Sequence, residues 1–134
     1  MAETVIVRDE GFVTEDWTGG FHGDRALDLA PDADLSEIGG RLDRVAMIRI
    51  AFPKSADGRG FTLARRLRMM GYGGRLRAHG HVLADQYAMA RRSGFDEVEI
   101  SADLAARQPE DQWRFRADWR AHDYQSRLRG AALT

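Results

Sequence analysis

The sequence contains no cysteine, and this absence excludes several classes of function. A chain without cysteine forms no disulfide, supplies no thiolate ligand to zinc and holds no cysteine-bound iron–sulfur cluster. Long uncharged apolar runs are missing too, so no segment reaches the roughly 18 residues that suggest a membrane-spanning helix. The first residues have neither a basic start nor a long apolar stretch, which argues against a secretory signal. A cytoplasmic protein without a membrane segment is therefore expected.

Lysine is nearly absent as well, since Lys54 is the only lysine among 20 basic residues. The formal net charge of −1 hides an uneven distribution along the chain. Residues 1–44 carry a net charge of −7, residues 45–94 carry +8 and residues 95–134 carry −2. Such separation can steer an anionic partner to the middle segment or drive self-association through opposite faces. In the alternative interpretation, the two acidic ends neutralise the middle within the fold.

The 134 residues are expected to form a single domain. Two short β-type runs flank a turn near the start, so residues 1–24 are predicted to form a hairpin and a loop. Residues 25–105 are predicted to form the α/β core, and residues 106–134 a C-terminal helix. The predicted fold class is α/β, with a mostly parallel sheet built around a β-α-β-α-β core. An open doubly wound sheet and part of a barrel are both compatible with this pattern.

The core is predicted from alternating strand and helix patterns. The apolar run 45–52, closed by Pro53, predicts a strand that is covered on both faces. Before it, Asp34 is a candidate N-cap of a short helix, with Glu37 three residues later. Further strands are predicted over 25–29, 76–78 and 98–100, and helices from about residue 60 to 70 and over 81–93.

A last helix is predicted to start at Pro109, a residue that suits the first turn. Phe115 and Trp119 form a second apolar pair on this helix, which either packs in the core or meets a partner. The main apolar face of the helix consists of Trp113, Ala117, Ala121, Tyr124 and Leu128.

The loop 57–60, Asp-Gly-Arg-Gly, is the first candidate site. It should lie where a strand ends and a helix begins, at the sheet edge where α/β proteins bind ligands. Backbone N–H groups at a helix start, together with Arg59, would suit an anion. In the alternative interpretation, Asp57 only caps the turn and pairs with Arg59. The loop has no Gly-Lys-Ser/Thr ending of a phosphate-binding P-loop.

Two histidines, His79 and His81, alternate at the next strand-to-helix link. With Asp85 they could bind zinc or iron, but no further ligand has diagnostic spacing, so the prediction is two polar loop residues and no metal site. Asp85 and Gln86, with Arg91 and Arg92 further along the helix, are expected to form a polar cluster with Arg77, or to contribute a buried Asp–Arg pair that positions the helices. No catalytic set, cofactor motif or nucleic-acid signature is recognisable, so neither a cofactor nor a nucleic-acid partner is expected.

Three blocks of the basic middle segment form one pattern: DGRGFTLARRLR from Asp57, GYGGRLRAHGHVLADQ from Gly71 and RRSGFD from Arg91. This pattern resembles a bacterial family catalogued as domain of unknown function 934, and the resemblance extends over nearly the whole chain. The closing block departs from the family at Ser93, where many relatives have cysteine. That departure removes any thiol chemistry that could be assigned to this position.

The resemblance implies a function in sulfur assimilation. Genes of the family commonly lie beside those for assimilatory sulfite or nitrite reductase and phosphoadenylylsulfate reductase, and members are often labelled probable oxidoreductases. We therefore expect an accessory protein that acts with such a reductase or its electron donor. The alternative is a small enzyme or sensor that binds an oxyanion or a phosphorylated metabolite at the loop 57–60, with Arg59, Arg77 and Asp85 lining the site. A third possibility is a scaffold whose polar residues only hold the fold. The candidate binding residues are Asp57, Gly58, Arg59, Gly60, Arg65, Arg68, Arg77, Asp85 and Gln86.

Overall fold

The computed structural model describes residues 4–21 and 25–117. In these ranges strands and helices alternate, and short 3₁₀ helices occupy some of the links. The strands are β1 (Thr4–Arg8), β2 (Gly11–Val13), β3 (Ala26–Leu29), β4 (Met47–Phe52), β5 (Arg75–Gly80) and β6 (Glu97–Ser101). The α-helices are α1 (Arg59–Met69), α2 (Tyr87–Ser93), α3 (Ala102–Arg107) and α4 (Glu110–Phe115). The 3₁₀ helices are Leu35–Glu37, Gly39–Arg44 and Ala84–Gln86.

All six strands form one sheet in the order β2-β1-β6-β5-β4-β3. The strands β3 to β6 are parallel, whereas β1 pairs antiparallel with both β6 and β2. The predicted α/β fold, with its mostly parallel sheet and N-terminal hairpin, is confirmed. The parallel strands follow one another in sequence order, so the sheet has no point at which the order reverses. This arrangement is that of a βα-barrel segment rather than of a doubly wound sheet.

One face of the sheet carries the hydrophobic core. Successive side chains of a strand point to opposite faces, so alternate residues of β4, β5 and β6 reach this core. The buried side chains of α1, α2 and the 3₁₀ helices between β3 and β4 belong to the same cluster, so these links cover this face. The rings of Phe52, Phe61 and Phe95 meet in it, with centroids 4.9 to 6.5 Å apart. The sheet contributes Ile48, Ile50, Phe52, Leu76, Ala78, Val98 and Ile100.

The opposite face of the sheet is charged, although much of it is buried. Glu97 and Glu99 on β6 stand beside Arg77 and His79 on β5, and Arg49 on β4 stands beside Arg77. The side chains of Arg77 and the two glutamates are buried. The segment that follows β2 binds over this face, through contacts described below. The strand β4 is therefore covered on both faces, as its apolar run predicts.

Local sequence explains where several elements end. Gly71 follows α1 with φ +97 and Gly94 follows α2 with φ +118, and this left-handed region favours glycine. Asp34 caps the first 3₁₀ helix, because its carboxylate accepts a hydrogen bond from the Ser36 backbone N–H at 3.0 Å. The predicted helix at this position is therefore present as 3₁₀ turns rather than as an α-helix.

Two boundaries differ from the sequence prediction. The helix expected over 81–93 starts later, because the His81 N–H donates to the Phe52 carbonyl at 2.8 Å and keeps the chain extended beyond β5. The helix α3 is absent from the sequence prediction. Ser101 is its N-cap, because the hydroxyl accepts a hydrogen bond from the Leu104 N–H at 3.1 Å. The helix α4 begins just after Pro109, as expected. It ends at Phe115, with Arg116 as its C-cap, whereas the prediction runs without a break to Leu128. The part of the predicted helix from residue 118 on, including Trp119, lies outside the described residues.

Candidate functional site

The predicted anion site is the segment 57–60, which joins the loop after β4 to the first residues of α1, and its two charged side chains pair with each other. The Asp57 carboxylate accepts hydrogen bonds from the Arg59 backbone N–H at 3.1 Å, from Nε at 2.9 Å and from Nη2 at 2.7 Å. The side-chain hydrogen bonds of Arg59 are the main reason that the pKa of Asp57 falls to about 2. This geometry satisfies the turn internally and matches the capping interpretation. Ligand binding by this loop stays a prediction.

The two glycines of this loop have different surroundings. A Cβ atom on Gly60 would lie 2.4 Å from Cζ of Phe52, so glycine is needed there for α1 to approach β4. A Cβ atom on Gly58 would meet nothing within 4 Å. Packing therefore explains Gly60, whereas the backbone at Gly58 is open to an approaching molecule.

Arg68 lies at the opposite edge of the sheet, beside the amino ends of β5 and β6. Its Nη1 donates to the carbonyls of Tyr72 and Gly74 at 3.0 and 2.8 Å. Its Nε and Nη2 donate to the Gly94 carbonyl at 3.0 and 2.7 Å, and Nη2 also reaches Asp96 at 3.0 Å. Arg68 thus ties the turn after α1 to the turn after α2. The structure does not bring it together with the loop 57–60.

Arg77 is the centre of the charged sheet face and is fully buried, at 0% exposure. Its Nε donates to Glu97 at 2.6 Å, and Nη1 donates to Glu99 at 2.8 Å. Glu15, from the segment after β2, binds both terminal nitrogens at 2.5 and 2.8 Å. Burial alone would lower the pKa of Arg77, but the three carboxylates raise it above its ordinary value. The guanidinium therefore stays charged and fixes the segment over the sheet.

Further arginines extend this network on both sides. Arg8 and Arg75 share the carboxylates of Asp16 and Glu97, with contacts of 2.7 to 3.1 Å. These arginines hold the pKa of Asp16 at about 2. On the other side, Arg49 bridges Asp28 at 2.7 Å and Glu99 at 3.1 Å. The Arg49 guanidinium also lies 3.9 Å from the centre of the Phe21 ring, a cation–π contact.

This network was not predicted, although a signal for it exists in the sequence. The strand β5 reads Arg-Leu-Arg-Ala-His-Gly and β6 reads Glu-Val-Glu-Ile-Ser. Strict alternation of charged and apolar residues in adjacent strands places all the charges on one face. The complementary signs of the two strands then indicate cross-strand ion pairs.

The predicted cluster around Asp85 and Gln86 is not formed as expected. Asp85 is 80% exposed and pairs with Arg116, so a buried pair with a core arginine is wrong. Gln86 has a structural role, because its Oε1 accepts from the Leu83 N–H at 2.9 Å and its Nε2 donates to the Ser55 carbonyl at 2.7 Å. It therefore ties the loop after β4 to the start of the α2 region.

The two histidines separate onto different surfaces. His79 belongs to the charged face, with Nε2 3.5 Å from a Glu99 oxygen. Burial lowers the pKa of His79, and the charge of Glu99 opposes this effect. His81 is exposed beyond the end of β5. No group of three or more histidine or carboxylate side chains within the described ranges could hold a metal ion.

The outer side of α1 is exposed and is formed by Arg65, Arg66, Met69 and Met70, which we call the α1 face. Met69 is 80% exposed and Met70 43%. Neither arginine makes an ion pair within the part of the chain that the structure describes. Of the predicted binding arginines, Arg65 is therefore the one that no described residue engages.

Three cavities are of interest. The two larger ones, of about 730 and 560 Å³, lie at the amino ends of the strands and are lined largely by glycines and by the paired Arg68 and Asp96. A third, of about 280 Å³, lies at the carboxyl ends of β4, β5 and β6. No local pattern in the sequence indicates this cavity, because residues from three separate links form its wall. The lining residues are Ser55, His81, Leu83, Leu104, Arg107 and Gln108.

Comparisons with known proteins gave one result. A family model described as "Bacterial protein of unknown function (DUF934)" matches residues 26–132. No curated protein and no solved structure matches the chain. Among the described helices, none combines the length and the apolar character that crossing a bilayer requires.

Proposed function

We propose that this chain, which belongs to the bacterial family described as domain of unknown function 934, is an accessory protein of assimilatory sulfur metabolism. In this proposal it acts in the cytoplasm with sulfite or nitrite reductase, in electron delivery or in complex assembly. The gene neighbourhood that the family resemblance implies supports the pathway. Because the sequence has no cysteine and no cofactor motif, a redox function would use an electron carrier supplied by the partner.

One observation carries the docking part of this proposal, namely the composition of the α1 face. Residues four apart on a helix are neighbours, so Met69 stands beside Arg65 and Met70 beside Arg66. Arginine and methionine are both enriched in protein interfaces, and exposed methionines adapt to the surface that covers them. The α1 face thus offers positive charge and deformable apolar area side by side.

The charge of this face selects an acidic protein as the partner. Arg59, Arg68 and Arg77 are engaged with carboxylates or carbonyls of the chain itself, so they are not free to bind a partner. Arg65 and Arg66 make no hydrogen bond or ion pair with any described residue, although the charge of Arg66 contributes to the lowered pKa of Asp34. An acidic patch on the reductase, or an acidic electron donor such as a ferredoxin, complements them.

A binding measurement with purified components tests the proposal. We expect saturable binding to the reductase or to its ferredoxin, weakening as salt rises because exposed charges are screened. The double variant R65E/R66E should weaken binding at least about tenfold, equivalent to about 1.4 kcal/mol. The matched control is R25E/R44E, which reverses two exposed arginines elsewhere and should change the affinity by less than about threefold. Equal losses in both variants, or no binding at all, would contradict docking through the α1 face.

Growth of a deletion strain tests the pathway separately. Without the gene, we expect the host to fail on sulfate and on sulfite as sole sulfur source and to recover on cysteine. Complementation with the R65E/R66E variant should restore growth poorly, whereas the control variant should restore it fully. Normal growth of the deletion strain on all three sources would remove the sulfur assignment.

The alternative of an oxyanion-binding enzyme or sensor at the loop 57–60 predicts different behaviour. Arg59 is 60% exposed and Gly58 is unobstructed, so a ligand could reach both. Oxyanion binding by the isolated protein that is lost on Arg59→Ala would favour this alternative. Binding that is unaffected by Arg59→Ala would exclude the loop as its site.

A further inference from the structure

We propose that the 280 Å³ cavity at the carboxyl ends of the strands is a binding site for a small oxyanion, either inorganic or a short carboxylate. This inference does not rest on the docking proposal, since the cavity and the α1 face share no residue. It is also distinct from the loop 57–60, because neither Asp57 nor Arg59 lines the cavity.

The position of the cavity suits a ligand. Ser55 lies three residues beyond the end of β4, His81 directly follows β5, and Leu104 lies three residues beyond the end of β6. In βα barrels and in open α/β sheets alike, binding sites form from the loops at the carboxyl ends of parallel strands. Three consecutive links therefore meet at the edge of the sheet where this class of fold places its ligands.

The wall of the cavity is rich in hydrogen-bond donors that no described residue engages. The Ser55 hydroxyl, the His81 ring, the Arg107 guanidinium and the Gln108 Nε2 make no hydrogen bond to any described residue. Among the residues that the structure describes, no carboxylate lines the cavity. The buried Arg77 and the half-buried Arg49 are matched by acids, whereas the exposed Arg107 has no acid partner among the described residues. Unmatched donors around one cavity indicate an anionic ligand, which Arg107 can bind through two parallel hydrogen bonds.

Hydrogen bonds to residues outside the cavity hold the lining residues in place, so the site is largely formed before a ligand binds. The Gln108 Oε1 accepts from the Ala84 N–H at 2.7 Å, and the Gln108 carbonyl accepts from Nε1 of the buried Trp113 at 2.8 Å. The Gln86 Nε2 fixes the Ser55 carbonyl at 2.7 Å. These bonds leave the Nε2 group of Gln108 and the hydroxyl of Ser55 for the ligand. Gln86 becomes a positioning residue of the site.

Volume restricts the class of ligand. The cavity lies at or below the lower end of the roughly 300 to 1,000 Å³ range of sites for drug-sized molecules. Since water occupies about 30 Å³ in the liquid, about 280 Å³ accommodates an ion of phosphate or sulfate size with a few waters, or a short dicarboxylate. A nucleotide is too large for the cavity, and Leu83 and Leu104 provide apolar walls beside the donors.

Calorimetric titration of the purified chain with phosphate, sulfate and malonate tests this site. We expect saturable binding of at least one of them, a weaker response to ATP at equal concentration, and at least a tenfold loss of affinity in R107Q and in H81N. Both residues are exposed, so these variants should keep the wild-type unfolding midpoint. The control R114Q removes an equally exposed charge on α4 and should leave the affinity unchanged, as should Arg59→Ala.

Four results would overturn the inference: no heat of binding with any probe at millimolar concentration, equal losses in R107Q and R114Q, retention of affinity in R107Q, or a loss confined to Arg59→Ala. Tighter binding of phosphate or sulfate than of malonate would identify an inorganic ion, and the reverse order a carboxylate. R65E/R66E alters the α1 face and R107Q alters the cavity. If the first variant still binds the anion and the second still docks to the partner, the two proposals succeed or fail independently.

Discussion

Ser93 provides the sharpest test of how this fold is stabilised. Its side chain is buried in the last turn of α2, and its hydroxyl oxygen has no hydrogen-bond partner among the described residues. Leaving a buried hydroxyl unsatisfied costs about 1 to 3 kcal/mol relative to water. Replacement by alanine removes that cost and leaves a void of roughly 10 to 15 Å³, which costs about 0.3 kcal/mol at about 24 cal/mol per Å³. We therefore expect Ser93→Ala to raise the free energy of unfolding by about 1 kcal/mol.

The matched control is Ser101→Ala, the same chemical change at a serine whose hydroxyl makes a stabilising hydrogen bond. The Ser101 hydroxyl caps α3 by accepting from the Leu104 N–H at 3.1 Å. Loss of such a cap costs about 1 kcal/mol, so this variant should be less stable. Urea denaturation of both variants measures the two free energies, and thermal unfolding should show midpoints displaced by about 4 °C in opposite directions.

A third variant connects this prediction with the family pattern. Ser93→Cys should also stabilise the protein, because a free thiol behaves as a small apolar group when buried. Packing alone would then explain the cysteine that the family pattern has at this position. If Ser93→Ala destabilised the protein as much as Ser101→Ala does, the Ser93 hydroxyl would be satisfied in solution and the reasoning would be refuted.

Three further predictions concern the charged face and the loop before α1. Arg77→Met should lower the free energy of unfolding by about 3 kcal/mol, because it leaves buried carboxylates uncompensated; a loss below about 1 kcal/mol in urea denaturation would be inconsistent with this. Gly60→Ala should lower the free energy of unfolding by about 1 to 3 kcal/mol, because the added methyl group overlaps the Phe52 ring. Gly58→Ala should change it by less than about 0.5 kcal/mol. Similar values for the two variants would contradict the packing explanation. The pKa of Asp16 is lowered to about 2, so its stabilising contribution is complete above its ordinary pKa of 3.8 and disappears as the pH falls through about 2. Asp16→Asn should therefore flatten the loss of stability between about pH 4 and 2, and an unchanged acid slope would refute this assignment.

The sequence predicted the elements of this fold well where a local pattern specifies them. The apolar run of β4, the alternating strands and the glycines after α1 and α2 are features of neighbouring residues, and periodicity reports them directly. The helix α3 escaped prediction because it is six residues long and depends on a single capping serine. The start of α2 was misplaced because a hydrogen bond from His81 to the distant Phe52 holds the chain extended there.

The charges of the basic middle segment show what local patterns omit. Their net charge of +8 suggests an open anion-binding surface. In the fold, Arg77 is instead matched by Glu15, 62 positions earlier, and by Glu97, 20 positions later. The acidic ends thus neutralise part of the basic middle. Arg65 and Arg66 stay exposed because they lie on the outer side of α1, away from the core.

Taken alone, the sequence determined the fold class, the alternation of strands and helices in the core and the family, because each follows from composition, periodicity or motif. It also located the loop 57–60 at the end of a strand. Only the tertiary structure decided which arginines are engaged internally and which remain free, and only it brought Ser55, His81 and Arg107 around one cavity. The physical reason is that ion pairs and cavities form between side chains that are distant in sequence. Which of them meet depends on strand order and register, and no local pattern specifies these.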